Sequence, residues 1–492
     1  MAASKDELFR PGETCWRIAD AARLSVIIDA DGYFRAARAA MLKARRQILL
    51  IGWDFDARIP LGIDPDDGGP AEIGAFLTWL VRRTPGLKIH ILRWDTGALK
   101  TLIRPLTLVR VMRWWWEKRI ELRLDRHHPP AGSHHQKIVV VDDCIAFCGG
   151  IDMTRDRWDT REHLDEQPHR LEPDGTPYGP WHDATTAVSG AAAAALGDLC
   201  RDRWQRSGGG RLPDIPDIHN CWPDHLEPTL TDVPVAIARS QPDWGDDPPI
   251  REIEALYLDL IASAKRWVYA ESQYFASRRI AEAIARRLAE PDGPEFVIVN
   301  PLKAQGWLEP IAMDSARARL VEALRPRDPY GRLRLYHPFT AGGQPIYVHA
   351  KVMAVDERVL RVGSSNFNNR SMRLDTECDI AFAAEADGDP VSQAVANIRN
   401  GLIAEHLGRE PGEVADTLAR TGSLIRTVEA LRSTPGRTLV SYEVPDLDGV
   451  RKWLADNEVL DPEGPEEMFE AFSERGLLRR LPKRRRRVQP RR

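Results

Sequence analysis

One short pattern of chemically useful side chains occurs twice in the chain. His135, Lys137 and Asp142 stand as H-x-K-x-x-x-x-D within HHQKIVVVDD, and His349, Lys351 and Asp356 repeat the spacing within VHAKVMAVDE, 214 residues later. Small residues follow each copy at one distance: Gly149 and Gly150 after the first, Gly363 and Ser364 after the second. A single H-x-K on a strand is ordinarily a surface feature, whereas two matching units in matching places point to an active site. Alternate residues of a strand share a face, so each copy sets an imidazole beside an ammonium group. If two halves of the chain pack about a pseudo-twofold axis, both pairs face one cleft. Such a cleft suits an anionic tetrahedral group such as a phosphodiester. The cations stabilise its non-bridging oxygens while one imidazole attacks phosphorus and the other protonates the leaving oxygen. One ring must begin neutral and the other protonated, so activity should follow a bell in pH with coupled macroscopic pKa values.

The elements that must position these groups also recur. From about residue 20 to 206, an Ala/Arg-rich amphipathic stretch leads into ILLIGW, and a second helix-like stretch precedes KIHILRW, IELRL and KIVVVD. From about 236 to 408 the same order returns as EIEALYLDLIASAKR, WVYAES, FVIVN, RLRLYH and KVMAVD. Strands alternating with helical patterns indicate an α/β fold, expected here as two similar α/β/α-layered lobes related by a pseudo-twofold axis. The expected boundaries are 1–206 for the first lobe, 207–235 for a Gly/Pro-rich linker and 236–408 for the second lobe. A helical C-terminal extension over 409–482 and a basic tail over 483–492 complete the division.

The paired motifs resemble those of the phospholipase D superfamily, whose members carry two HKD sequences. The likeness extends to GGIDMTRDRWD from Gly149, PWHD at 180–183, ESQYF at 271–275 and GSSNFNNRSM from Gly363. These flanking pieces are more similar to lipid-directed phospholipases D than to the nucleases of the superfamily. The resemblance, over roughly 20–408, implies a two-lobed α/β fold, a covalent phosphohistidine intermediate, no metal and no other cofactor. By family precedent His135 would be the nucleophile and His349 the general acid, with Lys137 and Lys351 on the phosphoryl oxygens. Asn366 would add a phosphate hydrogen bond, and its first-lobe counterpart is Asp152 rather than Asn. Gly149, Gly150, Gly363 and Ser364 would line the substrate turn. Asp159 and Glu377 hold the places of the carboxylates that orient each histidine, each expected to serve the opposite lobe. Asp142 and Asp356 are taken with the catalytic set, although acids at strand ends often make turn or packing hydrogen bonds.

Length and composition bound what remains. The 492 residues are 43% hydrophobic, enough for a sizeable core, and Lys+Arg 69 against Asp+Glu 73 leaves a net charge of -4. Lys483, Arg484, Arg485, Arg486, Arg487, Arg491 and Arg492 concentrate positive charge at the end of an otherwise acidic chain. That end reads either as a solvated tail or as a segment drawn to an anionic membrane surface. Nucleic-acid binding is not expected, because no aromatic residues interleave with the basic ones. Six cysteines are too sparse for a disulfide framework, and Cys144 and Cys148 read as buried thiols in a reducing compartment rather than as a metal site. Of the consecutive Trp114, Trp115 and Trp116, one or two are expected in the core. No apolar run is long enough to span a bilayer and no signal peptide is evident. A cytoplasmic or peripheral membrane protein is therefore expected, and a monomer; export, if it occurs, needs a non-classical route. The expected activity is hydrolysis of phosphatidylcholine-like lipids to phosphatidate and head-group alcohol, with transfer to added alcohols. The alternatives are a phosphatidyltransferase of the cardiolipin synthase type and a nucleic-acid phosphodiesterase.

Overall fold

The strands that follow the two motifs show why the chain folds in layers. In the first, Ile138 and Val140 enter one apolar cluster while Val139 and Val141 enter another. In the second, Val352 and Ala354 join the first cluster while Met353 and Val355 enter a third. Side chains of a strand alternate between faces, so an unbroken apolar run demands cover on both sides of the sheet. Full burial of each such Val or Ile contributes about 1.5–3 kcal/mol.

The computed structural model describes residues 5–445 apart from 64, 96–113, 115–116, 131, 216–218, 306–308 and 434. The first half contains β1 (Arg17–Ile28), β2 (Gln47–Gly52), β3 (Lys88–Trp94), β4 (Ile120–Asp125), β5 (Ile138–Val141), β6 (Ile145–Gly149), β7 (Trp181–His182) and β8 (Ala184–Gly190). The second contains β9 (Leu230–Gln241), β10 (Ile250–Arg251), β11 (Trp267–Glu271), β12 (Glu295–Val299), β13 (Leu333–Phe339) and β14 (Tyr347–Val348). It continues with β15 (Val352–Val355), β16 (Val359–Gly363), β17 (Glu377–Ala383) and β18 (Thr438–Ser441). Sixteen of these strands form one mixed sheet.

Strand order in this sheet is nearly mirror-like about its centre. Outward from the middle it runs β1-β8-β6-β5-β2-β3-β4 on one side and β9-β17-β16-β15-β11-β12-β13 on the other. The central strands β1 and β9 pair antiparallel from Arg17↔Ile237 to Leu24↔Leu230. One face is covered by the helices Ala191–Arg206 and Pro390–Leu407, whose apolar residues share a single cluster with strands of both halves. The other face is covered in each half separately. The helices Ala30–Leu42 and Ile73–Arg83 cover the first half, and Glu252–Ser263 and Arg278–Leu288 cover the second.

Three details differ from expectation. Strand β9 begins at Leu230, inside the stretch read as linker, because its alternating apolar residues pair with β1. The segment after 408 forms the helices Pro411–Thr421 and Leu424–Leu431 and then β18, which pairs antiparallel with β13 and finishes the sheet edge. Cys144 is not a thiol: it is bonded to Cys221 with the Cα atoms 5.9 Å apart, whereas Cys148 is free and buried. That disulfide ties the connection between the halves to the turn after β5. Trp114 is buried and its indole N–H donates to Thr78 Oγ1 at 3.0 Å. Trp115, Trp116, the rest of the extension and the basic tail lie outside the described residues. No helix among the described residues is long and apolar enough to cross a membrane.

Candidate active site

Both motif histidines lie in extended segments just ahead of β5 and β15 rather than within the ladders, and each segment is stitched to the opposite half. His134 bridges Thr376 in parallel, and His135 donates its backbone N–H to Thr376 O at 2.9 Å. In the same way β14 pairs in parallel with β7, with Val348 opposite His182, and His349 donates its N–H to His182 O at 2.8 Å. This pairing sets each imidazole beside the carboxylate of the residue that follows its bridge partner. His135 Nδ1 lies 3.0 Å from both carboxylate oxygens of Glu377, and His349 Nδ1 lies 2.6 Å from Asp183 Oδ2. With Nδ1–H donating to the acid, Nε2 of each ring carries the lone pair.

The two rings share a space. Their centroids are 6.5 Å apart, and both line a cavity of about 600 Å³ together with Asp152, Arg157, Trp181 and Asn366. The lysines stand beside it. Lys137 Nζ donates to His135 O at 2.7 Å and lies 3.1 Å from Asp152 Oδ2, and Lys351 Nζ donates to His349 O. Asn366 is buried with its Oδ1 unpartnered. Asp152 cannot match it as a donor: its Oδ1 accepts from Trp53 N at 2.9 Å and its Oδ2 holds Lys137. The Trp181 ring lies 5.2 Å from His349 and carries the Arg157 guanidinium 4.2 Å above it.

Burial governs the electrostatics. Desolvation, then Lys137 and Lys351, hold His135 well below its usual pKa, and desolvation, then Lys351 and Arg157, do the same to His349. Burial also lowers the Lys351 ammonium to about 7 and raises the Glu377 carboxyl to about 7. Asp183 is raised by burial as well. A neutral, lone-pair-bearing imidazole is thus available at neutral pH, and an arriving anion would favour protonation of its partner.

Several residues singled out by spacing do other work. Asp159 does not reach His349. It accepts from His163 Nδ1 at 3.0 Å and Trp181 N at 2.9 Å and is paired with Arg170 at 3.2 Å. The orienting acid is Asp183 of PWHD. Sheet register identifies it: β6 pairs Gly149 with Thr185 as β16 pairs Gly363 with Asp379, which puts Asp183 and Glu377 in equivalent places. Asp142 and Asp356 face away from the chemistry, about 16 Å along an extended chain from their lysines. Asp142 accepts the backbone N–H groups of Arg45, Arg46 and Gln47 at 2.6–2.9 Å, and Asp356 those of Lys265, Arg266 and Trp267 at 2.8–3.0 Å. Both are anchors for the start of the neighbouring strand.

The small residues make room for the side chains beside them. A Cβ on Gly150 would lie 2.1 Å from Asp183 Oδ1, one on Gly363 would lie 2.0 Å from Asp379 Oδ1, and one on Gly149 would lie 2.4 Å from Thr185 Cα. Ser364 donates its hydroxyl to Glu377 Oε2 at 2.5 Å, and Ser371 donates to Oε1 at 2.7 Å. These two hydroxyls fix the acid, a role that spacing alone did not reveal for Ser371.

Beside Asp183 lies a fully buried polar cluster. His182 spans Glu271 at 2.8 Å and Glu405 at 2.8 Å, and His163 lies between Asp159 and Glu405. The carboxylates hold His163 up to about 9 and His182 well above its usual value against the cost of burial. Asp29, His163, His182 and Glu405 bring four side-chain nitrogen and oxygen atoms within 4.8 Å of one another, held together by the ion pairs among them.

Comparison with known proteins agrees with this geometry. Residues 117–240 match the family profile described as Phospholipase D, and residues 257–398 match that described as Cardiolipin synthase, PLD-like domain. The chain is 25% identical over 467 residues to Phospholipase D A of Dictyostelium discoideum, covering 79% of this chain and 36% of that protein. It is 24% identical over 509 residues to Phospholipase D alpha 1 of Carica papaya, covering 75% of this chain and 63% of the relative. The chain therefore spans less than two thirds of the length of either relative. Among solved structures, the phosphatidylserine synthase of Haemophilus influenzae Rd KW20 superposes with a TM-score of 0.54 at 14% identity, covering 84% of this chain and 97% of that one, a likeness of fold. The profiles fall on the two histidine motifs and on the halves that carry them, and the chain belongs to the phospholipase D superfamily.

Proposed function

We propose that the protein is a phospholipase D that cleaves the distal phosphodiester bond of phosphatidylcholine-like glycerophospholipids, releasing phosphatidate and the head-group alcohol. The observation that carries this reading is the pair of imidazoles 6.5 Å apart in one cavity, each oriented by a carboxylate of the opposite half. In the proposed mechanism His135 Nε2 attacks phosphorus and the P–O bond to the head group breaks. His349 gives its proton to the leaving oxygen. His349 then removes a proton from water, whose oxygen attacks the phosphohistidine, breaks the P–N bond and restores His135. Lys137, Lys351 and the Asn366 amide hold the non-bridging oxygens. An alcohol in place of water gives transphosphatidylation by the same steps.

A phosphatidyltransferase is the second reading, favoured by the match of residues 257–398 to the cardiolipin synthase profile. The experiment is mass spectrometry of products from mixed phospholipids with and without ethanol or glycerol. Phosphatidate as the main product, with phosphatidylethanol only when ethanol is added, supports the hydrolase. Product formed only in the presence of an alcohol or second lipid assigns the transferase, and nicking of plasmid DNA without lipid cleavage overturns both. We propose further that the membrane surface is the working partner and that 483–492 contributes to it; loss of liposome cosedimentation on deleting that segment is the expected result.

A further inference from the structure

A site of near twofold symmetry leaves one question open: a phosphodiester has two different alcohols, and the paired rings alone do not determine which faces which. The first half carries the feature that breaks this symmetry. From Gly150 to Asp183 the chain runs twenty residues longer than from Ser364 to Glu377, although both connections join equivalent places in the sheet. The extra chain folds back on the start of the helix Ala30–Leu42, where Trp158 Nε1 donates to Asp31 and Asp31 N donates to Asp159 O, and with the loop before Ile73 it forms an open pocket of about 210 Å³. Its lining is largely apolar and aromatic, including Phe34, Ile59, Ile63, Trp158, Leu171 and Tyr178. Phe34 and Ile59 are buried, whereas Ile63 and Leu171 are 41% and 43% exposed. Ile63 and Leu171 thus leave aliphatic surface in water around one concavity, whose polar part comes from Thr154, Arg155, Asp156, Arg157 and His169.

Position identifies the occupant. Thr154, Arg155, Asp156 and Arg157 line this pocket and also the cavity that holds His135 and His349, so one four-residue wall separates them. A ligand with its phosphate between the histidines and its apolar part beside that wall fits a diacyl phospholipid. We infer that the pocket receives an acyl chain of the substrate lipid and thereby selects which ester oxygen lies toward which histidine. This rests on the lipid-cleaving reading above and deepens it. Arg155, paired with Glu172 at 2.7 Å, braces the wall.

The test compares soluble substrates below their micellar concentrations: bis(4-nitrophenyl) phosphate, dibutanoyl phosphatidylcholine and dihexanoyl phosphatidylcholine. Two further methylenes on a seated chain should raise kcat/KM of the wild type about tenfold between the two lipids. Leu171→Asp and Ile63→Asp, which alter the mouth, and Ala71→Trp, which fills the lining, should flatten that dependence. All three should leave turnover of bis(4-nitrophenyl) phosphate within about twofold, which also serves as the check that they fold. Equal rates on the two lipids in the wild type, or a chain-length dependence that survives all three variants, overturns the pocket assignment while leaving the lipid reading intact. Turnover of bis(4-nitrophenyl) phosphate without cleavage of either lipid overturns the lipid reading and the pocket with it.

Discussion

The two histidine sites are built to one plan and finished differently. In both, a short parallel bridge to the other half sets the imidazole against a carboxylate, and a glycine clears space for close packing. The Glu377 site is finished with hydroxyls, since Ser364 and Ser371 hold its two oxygens. The Asp183 site is finished with backbone and buried charge: Asp183 Oδ1 accepts from Ala184 N, Asp183 N donates to Asp29, and the His182 cluster lies alongside. A neutral hydroxyl cradle and an ionic one thus surround two carboxyls that burial raises alike. The comparison teaches that symmetry of backbone can coexist with asymmetry of role, which is what a reaction needing one base and one acid requires.

The sharpest way to break the comparison is to remove each ring. His135→Ala and His349→Ala should each lower turnover of phosphatidylcholine by about ten-thousandfold. With bis(4-nitrophenyl) phosphate, whose leaving group needs no proton, His349→Ala should recover a first-turnover burst while His135→Ala should not. A burst from the opposite variant would exchange the two roles. Next come the acids: Asp183→Asn and Glu377→Gln should each reduce kcat by about a hundredfold or more with little change in fold. Asp159→Asn should do the reverse, costing about 3–5 kcal/mol of stability through its buried partners while folded protein keeps its rate. Urea denaturation alongside initial rates separates the two patterns.

The pH dependence sharpens the asymmetry further. Lys351 titrates at about 7 in the free protein, so its ammonium is present below that pH and lost above it. Consequently kcat/KM should fall as pH rises through 7, and in Lys351→Arg the part of that fall due to the ammonium should be lost, since guanidinium stays charged, even though the rate is lower throughout. Both rings are held below their usual value, so an anionic diester analogue should take up a proton as it binds. Calorimetry in buffers of different ionisation enthalpy reads that uptake directly, and a heat independent of buffer would contradict it. The smallest and most even effect belongs to the strand-end anchors. Asp142→Ala and Asp356→Ala should each cost about 3 kcal/mol, equally in the two halves, because each removes a carboxylate from three backbone donors.

Much of this architecture was legible in the chain. KIHILRW at 88–94 became β3 residue for residue, and the apolar runs around both motifs became β5 and β15, because a doubly covered strand leaves an unbroken Val/Ile signature. The histidines and the lysines come together as their duplication suggested, and Asn366 and Glu377 join them as the family resemblance implied. Asp183 escaped because counting from His135 assumes equal connections, and the first half inserts twenty residues before the equivalent strand. Asp142 looked chemical because it travels with the motif, yet its spacing is that of a four-residue strand followed by a turn, with φ at 48°. The Cys144–Cys221 bond joins residues 77 apart and carries no local signal at all.

The stitching between β7 and β14 has a consequence for how the protein comes into being. Because each ring borrows its carboxylate from across the molecule, neither half alone can assemble even one complete acid-histidine pair. A nascent chain therefore holds no complete acid-histidine pair until Glu377 has been made and both halves have docked.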